Sequence, residues 1–391
     1  MRRRILVGVV LSGAVVGTGL LHGSSGQEAV GTSQPPTTVT TTAPTTTAPT
    51  RTASPPTTLG PDTNIYAAAG ANMFSSVVAS MPYRVYVPES GGSVVEVIDP
   101  ATFEVVDGYT TGQSPQHVVP AWDLKTLYAA NTAGNSLTPI DPMTGRPAGP
   151  SIPVTDPYNL YFTPDGAFAI VVAEREKSLN FVDPHTFAMV QAVPVDCAGV
   201  DHADFSADET FMVATCEFSG RLVRVDLATR KVTGYLDLPG SSPQDIKLDP
   251  LGRVFYVADK NLAGVFLIDA ATFTKIGFLP TGKDAHGLYP SRDAKSLYVS
   301  NRGSGSVSVI DFATQAEVTT WAIPGGSPDM GGVSPDGTVL WLSGRYDKAV
   351  YALSTADGHL LARIPVGEKP HGLCVWPQPG RFSLGHTGVM R

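Results

Sequence analysis

The stretch SLYVSNRGSGSVSVIDFATQ, from Ser296 to Gln315, is the clearest copy of a unit that recurs along this chain. The acid that ends each V-x-V-I-D segment marks the repeat; it falls at Asp99, Asp141, Asp183, Asp226, Asp269 and Asp311, with Ser354 in its place in the last copy. The steps between these positions are 42, 42, 43, 43, 42 and 43 residues. A period of this length, filled with short alternating strands and turn residues, is typical of the blades of a β-propeller.

The repeats predict an all-β fold, a seven-bladed β-propeller with four-stranded blades over residues 64–381. Charged residues are sparse at 16%, glycine (40) and proline (33) are abundant, and no long amphipathic helical pattern is present, as expected for a chain of short strands. The last inner strand, Gly372 to Trp376, has no repeat after it. We expect it to join the first blade, formed by Arg84 to Tyr109, because this closure leaves no free sheet edge.

The acids that mark the repeat have a structural explanation. Each begins a D-x-x-T turn, as in Asp311 to Thr314, and an aspartate at the first turn position can accept hydrogen bonds from backbone amides two or three residues on. The segments TPDGA (Thr163 to Ala167) and SPDGT (Ser334 to Thr338) serve a second hairpin in the same way. We interpret these acids as hairpin locks and not as catalytic groups.

The amino terminus predicts export. Three arginines (Arg2 to Arg4) precede an apolar run from Ile5 to Leu21, which indicates a signal peptide over residues 1–26, with a retained anchor as the alternative. Residues 27–63 are rich in threonine and proline and predict a disordered tether. We therefore expect a secreted or cell-envelope protein that meets a membrane only through its N-terminal segment.

The net charge argues against nucleic acid as a partner. The formal charge of −8 becomes −11 when the three arginines leave with the signal (−8 − 3), and an acidic surface does not favour nucleic acid.

Cys197 and Cys216 stand at the entrance of one strand and the exit of the next. Both a disulfide between them and a pair of free thiols are compatible with these positions. Cys374 lies in an apolar strand and is interpreted as a core residue.

The chain resembles the YVTN-type β-propeller repeat family. The motif stands as YVSN (Tyr298 to Asn301), YAAN (Tyr128 to Asn131), YVAD (Tyr256 to Asp259) and YVPE (Tyr86 to Glu89), and the resemblance covers about Tyr83 to Arg381. It implies a seven-bladed propeller. Similar propellers include surface-layer proteins, periplasmic binding proteins, lactonase-like enzymes and haem-d1 domains, so the motif implies no single chemistry.

Four of the eight histidines occupy one short segment of the repeat, where the innermost strands begin: His117, His202, His286 and His371. Neutral imidazoles with one or two carboxylates suit Cu, Zn, Fe or Ni, and Met330 would add a soft ligand. His117 and His202 are offset by one place from His286 and His371. Since neighbouring strand residues point to opposite faces, all four converge only if the loops absorb this offset. The alternative is that these side chains merely satisfy exposed backbone amides.

Other residues on this rim are weaker candidates. Asp245 and Asp329 could act as metal ligands or as a catalytic base, and Asn159, Asp201, Arg302 and Arg345 could bind a ligand. His185 and His359 are expected at the surface, away from this rim, and His386 falls in a C-terminal tail, residues 382–391, that we expect to be loosely ordered. The sequence has no G-x-S-x-G, H-E-x-x-H, C-x-x-C or C-x-x-C-H motif.

The sequence therefore favours an exported cell-envelope propeller that acts as a binding or interaction module through its channel face. A small molecule or an envelope protein would be its partner, and a transition metal is the one cofactor for which residues are present. The alternative is a metal-dependent enzyme, a lactonase-like hydrolase or an oxidoreductase, with its histidine-rich site at the channel mouth.

Overall fold

The computed structural model describes residues 63–391. The predicted signal segment and all of the predicted tether except Thr63 lie outside these residues. Within residues 63–391 no helix is both long and apolar enough to cross a membrane; the two helices there are single 3-10 turns, Ala67–Ala69 and Glu217–Ser219.

The described chain forms seven antiparallel sheets, and the expected seven-bladed β-propeller is confirmed. From the channel outward, blade 1 consists of β29 (Cys374–Trp376), β1 (Arg84–Glu89), β2 (Val94–Asp99) and β3 (Glu104–Thr110). Blade 2 consists of β4 (Pro115–Pro120), β5 (Leu127–Asn131) and β6 (Ser136–Asp141), with β7 (Arg146–Pro147) and β8 (Ile152–Pro153) sharing its outer edge. Blade 3 consists of β9 (Asn159–Phe162), β10 (Ala169–Ala173), β11 (Ser178–Val182) and β12 (Met189–Pro194).

The remaining blades follow the same order. Blade 4 consists of β13 (Val200–Phe205), β14 (Phe211–Cys216), β15 (Arg221–Asp226) and β16 (Lys231–Asp237), and blade 5 of β17 (Pro243–Leu248), β18 (Val254–Asp259), β19 (Gly264–Asp269) and β20 (Thr274–Pro280). Blade 6 consists of β21 (Ala285–Pro290), β22 (Ser296–Asn301), β23 (Ser306–Asp311) and β24 (Ala316–Ala322), and blade 7 of β25 (Pro328–Val333), β26 (Val339–Gly344), β27 (Ala349–Ser354) and β28 (Leu360–Pro365).

The C-terminal strand closes the ring, as expected. Strand β29 pairs antiparallel with β1, with Val85 opposite Val375, and the seven inner strands contact one another in ring order. The paired strand is shorter than the expected Gly372 to Trp376, because the amide of Gly372 donates to the carbonyl of Gln116 in blade 2 instead. This bond ties the closing segment to the neighbouring blade as well.

The hairpin locks form as the repeat predicts. In blade 6 the Asp311 carboxylate accepts hydrogen bonds from both the backbone amide and the hydroxyl of Thr314, each at 2.8 Å. The same contacts recur at Asp183, Asp226 and Asp269. These bonds hold the pKa of the Asp311 carboxyl below its ordinary value, as expected of a turn acid that accepts backbone hydrogen bonds.

Two of the three cysteines form a disulfide, and the third is free. Cys197 and Cys216 form a disulfide with their Cα atoms 5.9 Å apart, and Cys374 is free and buried. The bridge joins the entrance of β13 to the exit of β14 on one rim of the propeller, and therefore fixes the inner hairpin of blade 4.

The two ends of the described chain pack on the opposite rim, where the inner strands end. The Ile65 amide donates to the carbonyl of Pro250, and the Tyr66 hydroxyl donates to the carbonyl of Leu248. The C-terminal tail lies beside them, with the Arg391 guanidinium hydrogen-bonded to Asp204 at 3.0 Å and packed over the Tyr66 ring. The tail is buried and fixed by these contacts, contrary to the loosely ordered tail expected from the sequence.

Candidate functional site

The channel contains a cluster of imidazole rings built from five different segments of the chain. The four histidines expected there lie together, with ring centroids 5.6 Å apart for His117 and His202, 4.9 Å for His117 and His371, and 5.7 Å for His286 and His371. All four are at most 3% exposed. The cluster therefore occupies the interior of the channel and not its open mouth, where the sequence placed it.

β-bulges lie next to three of the four predicted histidines. The pairing of β4 with β5 shifts register between Pro115 and His117, and β13 and β21 carry comparable shifts next to His202 and His286. A bulge inserts a residue into one strand and redirects the side chains that follow it. The pairing of β29 with β1, next to His371, has no such shift, and the four rings nevertheless lie together.

The fifth ring belongs to His386, which the sequence placed in the loosely ordered tail. Its centroid lies 5.0 Å from that of His202 and 5.3 Å from that of His117. The tail enters the channel beside β9, with the His386 amide donating to the carbonyl of Leu160 at 2.8 Å. The Nδ1 atom of His386 accepts a hydrogen bond from the side-chain amide of Asn159 at 2.9 Å, and its Nε2 atom has no hydrogen-bond partner among the described residues. In the neutral ring the proton therefore lies on Nε2, and metal binding through Nε2 displaces it.

Two glycines mark this arrangement in the sequence. Gly385 precedes His386 with φ +100°, and a Cβ there would lie 2.3 Å from the Leu160 carbonyl oxygen. Gly372 follows His371, and a Cβ there would lie 2.1 Å from Cδ2 of the His117 ring. Both positions therefore require glycine, and the glycines flanking His386 in SLGHTG (Ser383 to Gly388) are the signal that could have directed attention to the tail.

Three of these imidazoles have the arrangement of a metal site. One ring nitrogen each from His117, His202 and His386 lies within 4.8 Å of the other two. Within the part of the chain that the structure describes, Nε2 of His117, Nε2 of His386 and both ring nitrogens of His202 are buried without a hydrogen-bond partner. A buried polar atom without a partner is costly, and a transition-metal ion would satisfy several such nitrogens at once.

The pKa shifts of most of these histidines also favour metal binding. Burial, together with neighbouring cationic or imidazole groups, lowers the pKa of His117, His286, His371 and His386 well below the ordinary histidine value. For His202 burial also lowers the pKa, but the Asp201 carboxylate outweighs it and the net shift is upward. The Nδ1 atom of His117 is held by the Tyr158 carbonyl at 2.9 Å, which leaves Nε2 as the atom with a free lone pair. His117 is therefore fixed as a neutral imidazole in the form that binds a metal through Nε2, whereas His202 would have to give up a more firmly held proton to do so.

Asp329 organises the other half of the cluster. Its Oδ2 atom lies 2.6 Å from Nδ1 of His371, its Oδ1 atom lies 3.3 Å from Nδ1 of His286, and the Arg302 guanidinium donates to Oδ1 at 3.0 Å. The Sδ atom of Met330 lies 2.9 Å from Nδ1 of His286. Asp329 thus orients two imidazoles through its carboxylate.

The Asp245 carboxylate is occupied by hydrogen bonds to groups outside the imidazole cluster. Its carboxylate oxygens are bound by the Lys247 ammonium group at 2.8 Å and by the backbone amide of Leu288 at 2.9 Å. These contacts tie blade 5 to blade 6. Asp245 therefore lies near the cluster, 3.8 Å from Nε2 of His386, as a buried ion pair.

The ligand-binding candidates fall into two groups. Asn159 and Asp201 lie inside the channel, Asn159 beside His386 and Asp201 with Oδ2 3.5 Å from Nδ1 of His202. Arg302 and Arg345 lie nearer the mouth, and Arg302 is bound by both Asp284 and Asp329. Arg345 keeps more freedom, with one hydrogen bond to the Ser90 hydroxyl at 2.9 Å.

Glu89, at the end of β1, is a buried carboxyl that the sequence did not single out. It is 3% exposed, and among the described residues neither carboxylate oxygen has a hydrogen-bond partner. Burial, reinforced by the nearby Glu96 carboxylate, raises the pKa of Glu89 to about 8. The folded state therefore holds this proton more tightly than the unfolded chain does, and the contribution of Glu89 to stability is lost as pH rises toward 8.

We expect E89Q to raise the melting temperature at pH 8.5 and to change it much less at pH 5. Glutamine has no charge to bury, so it removes the penalty that appears only when Glu89 ionises. Thermal unfolding at the two pH values measures the effect, with E104Q as the control because Glu104 is exposed in the same blade. An equal shift at both pH values would contradict the assignment.

The ring of seven four-stranded sheets and the segment that closes it define a seven-bladed β-propeller with a histidine-lined channel. The chain belongs to the YNCE-like β-propeller family, whose model matches residues 57–379. It is 23% identical to the protein YncE of Salmonella typhi over 275 residues, which is 64% of this chain and 75% of that protein.

Solved structures give the same fold. The chain is similar to Kuenenia stuttgartiensis hydrazine synthase, with a TM-score of 0.60, 18% identity and coverage of 72% of this chain and 98% of that one. It is also similar to the dihydro-haem d1 dehydrogenase NirN in complex with DHE, with a TM-score of 0.53, 16% identity and coverage of 74% of each chain. At these identities the likeness concerns the fold, and it extends to proteins of different roles.

Proposed function

We propose that this protein is an exported binding protein of the cell envelope that holds a transition-metal ion in the propeller channel. The observation that carries the proposal is the group of three imidazole nitrogens from His117, His202 and His386, within 4.8 Å of one another. Export is supported by the arginine-led apolar run at the amino terminus; N-terminal sequencing of protein recovered from the medium or the envelope tests it.

The donor set indicates the class of ion. Three imidazole ligands suit Zn, Cu, Fe or Ni, whereas Mg and Ca prefer oxygen ligands. Three protein ligands leave at least one coordination position for an exogenous molecule. His286 and His371, held by Asp329, line the same channel and could contact that molecule.

The occupancy of two carboxylates favours binding over hydrolysis. A lactonase-like enzyme would need a base beside a metal-held water, and the two carboxylates that the sequence suggested for that role are occupied. Asp245 is paired with Lys247, and Asp329 is shared by Arg302, His286 and His371. A hydrolase or an oxidoreductase remains the alternative function, and turnover by the metal-loaded protein would be its evidence.

Elemental analysis of protein purified without a histidine tag tests the proposal. After incubation with Zn²⁺, Cu²⁺ or Ni²⁺ and removal of excess ion, we expect about one equivalent to stay bound, as for other sites with three imidazole ligands. The double variant H117A/H202A should lose this ion, whereas H185A/H359A should keep it, because both control histidines are exposed and lie outside the cluster. A folded wild-type protein that retains no ion, or equal retention by the two double variants, would overturn the proposal.

A further inference from the structure

Charges are sorted around the mouth of the channel. In every blade, one residue directly follows the second strand counted from the channel, and this position lies on the rim where the inner strands begin. In blade order these residues are Ser90, Thr132, Glu174, Glu217, Lys260, Arg302 and Arg345. The two acids stand in neighbouring blades and the three bases in the next three, so one side of the rim is acidic and the other is basic.

Some of these charges are already neutralised within the fold. Arg302 is bound by Asp284 and Asp329, each at 3.0 Å, and the Lys260 ammonium group lies 3.3 Å from Glu217. Arg345 is different, because its one hydrogen bond goes to the neutral Ser90 hydroxyl and its Nε atom is 3.9 Å from Asp329. Several of its donors are therefore available on the basic side.

On the acidic side, Glu174 has no counter-ion among the described residues. Over residues 63–391 the Glu174 side chain makes no hydrogen bond or ion pair that would neutralise it. Asp201, in the next blade, lies deeper, 1% exposed and paired with His202. Burial and repulsion from Asp201 and Glu217 raise the pKa of Glu174 to about 7, as expected of a carboxyl that is partly buried near other carboxylates.

An aromatic ring lies between the acidic side and the imidazoles. The Tyr158 ring is 5.3 Å from His117 and 6.0 Å from His202, centroid to centroid. Arg345 reaches the same group of rings from the basic side: its Nε atom is 3.9 Å from Asp329, Asp329 is hydrogen-bonded to His371, and the His371 ring lies 4.9 Å from the His117 ring. An aromatic face beside carboxylates is a favourable environment for an ammonium group.

We propose that the channel mouth binds a small zwitterion, a molecule of the amino-acid class, with its carboxylate at Arg345 and its ammonium group at Glu174. A simple anion would meet the acidic side and a simple cation the basic side, whereas a zwitterion matches both. The inference rests on the channel face being the binding surface, as in the proposed function, and not on the ion deeper in the channel.

Calorimetric titration with a series of straight-chain ω-amino acids tests the inference, because the chain length varies the separation of the two charges. The best member should bind at least about tenfold more tightly than an alkylammonium ion or a carboxylate of the same length, the scale expected of an added charge-assisted hydrogen bond. E174Q and R345Q should each abolish this preference. E176Q and K348Q are the matched controls, since Glu176 and Lys348 carry the same charges on exposed positions of the same two blades.

The titration is repeated with the H117A/H202A variant to separate this inference from the metal proposal. Zwitterion preference in that variant, together with a metal-free wild type, would support the mouth site and overturn only the metal site. Metal binding without any preference for zwitterions would overturn only the mouth site. Equal binding of the carboxylate alone, or an unchanged preference in both E174Q and R345Q, would also overturn it.

Discussion

H386A should lose tight metal binding while the propeller stays folded. His386 provides one of the three converging imidazole nitrogens, and two ligands hold an ion much less firmly than three. Loss of a hydrogen-bond partner behind a metal ligand already costs roughly 10- to 100-fold in affinity, so loss of the ligand itself should exceed this range. Competition with a chromophoric chelator at neutral pH gives the dissociation constant directly.

The tail should remain in place without this imidazole. Its anchors are separate from the ring: the Phe162 amide donates to the Leu384 carbonyl at 3.0 Å, and Arg391 is bound to Asp204. H185A is the control for the loss of one exposed histidine. If H386A bound the ion like the wild type while H286A/H371A lost it, the ion would belong to the Asp329 half of the cluster, and the three-imidazole assignment would be wrong.

Ending the chain after Pro370 should destabilise the whole ring. This truncation removes β29, which pairs with β1, and deletes the fully buried Val375 and Trp376. Loss of one large buried side chain costs about 3–5 kcal/mol, so losing the strand should lower the melting temperature by about 10 °C or more, if the protein folds at all. It also exposes the edge of β1, which invites aggregation.

Two other deletions act as controls for this truncation. Ending the chain after Pro377 keeps β29 but removes the tail, and we expect an intermediate loss of stability, because Leu384 and Met390 are buried. Deleting Thr32 to Thr58 should leave the melting temperature unchanged, since this threonine-rich segment is predicted to contribute nothing to the core. Calorimetry compares the three proteins, and equal melting temperatures for the Pro370 truncation and the Thr32 to Thr58 deletion would contradict closure by β29.

The sequence predicted part of the site through the repeat. Four histidines occur at nearly equivalent positions of the repeat: His117, His202, His286 and His371. Because equivalent positions of successive blades surround the same channel, these side chains were expected to lie near one another. Whether their one-place offset could be absorbed was open, because a bulge depends on the pairing of two strands and leaves no reliable mark in either of them. The structure shows that the four rings meet, with bulges next to His117, His202 and His286 and none next to His371.

The position of His386 in the channel could not be predicted in this way, because His386 belongs to no repeat. Its place follows from the close approach of Gly385 to Leu160 and from the anchoring of Arg391 by Asp204 and Tyr66. These contacts join residues more than a hundred positions apart along the chain. A pattern search that compares equivalent positions of successive repeats has no means of finding them.

By itself, the sequence determined the number of blades, the turns that connect their strands and the strand that closes the ring. These features are local patterns copied at a fixed spacing, so each copy confirms the others. Only the tertiary structure decided which imidazoles meet and which charges remain without a counter-ion. Those outcomes depend on distances of a few ångströms between segments that are remote in the chain, and such distances are set by packing around the channel, not by the order of residues within a blade.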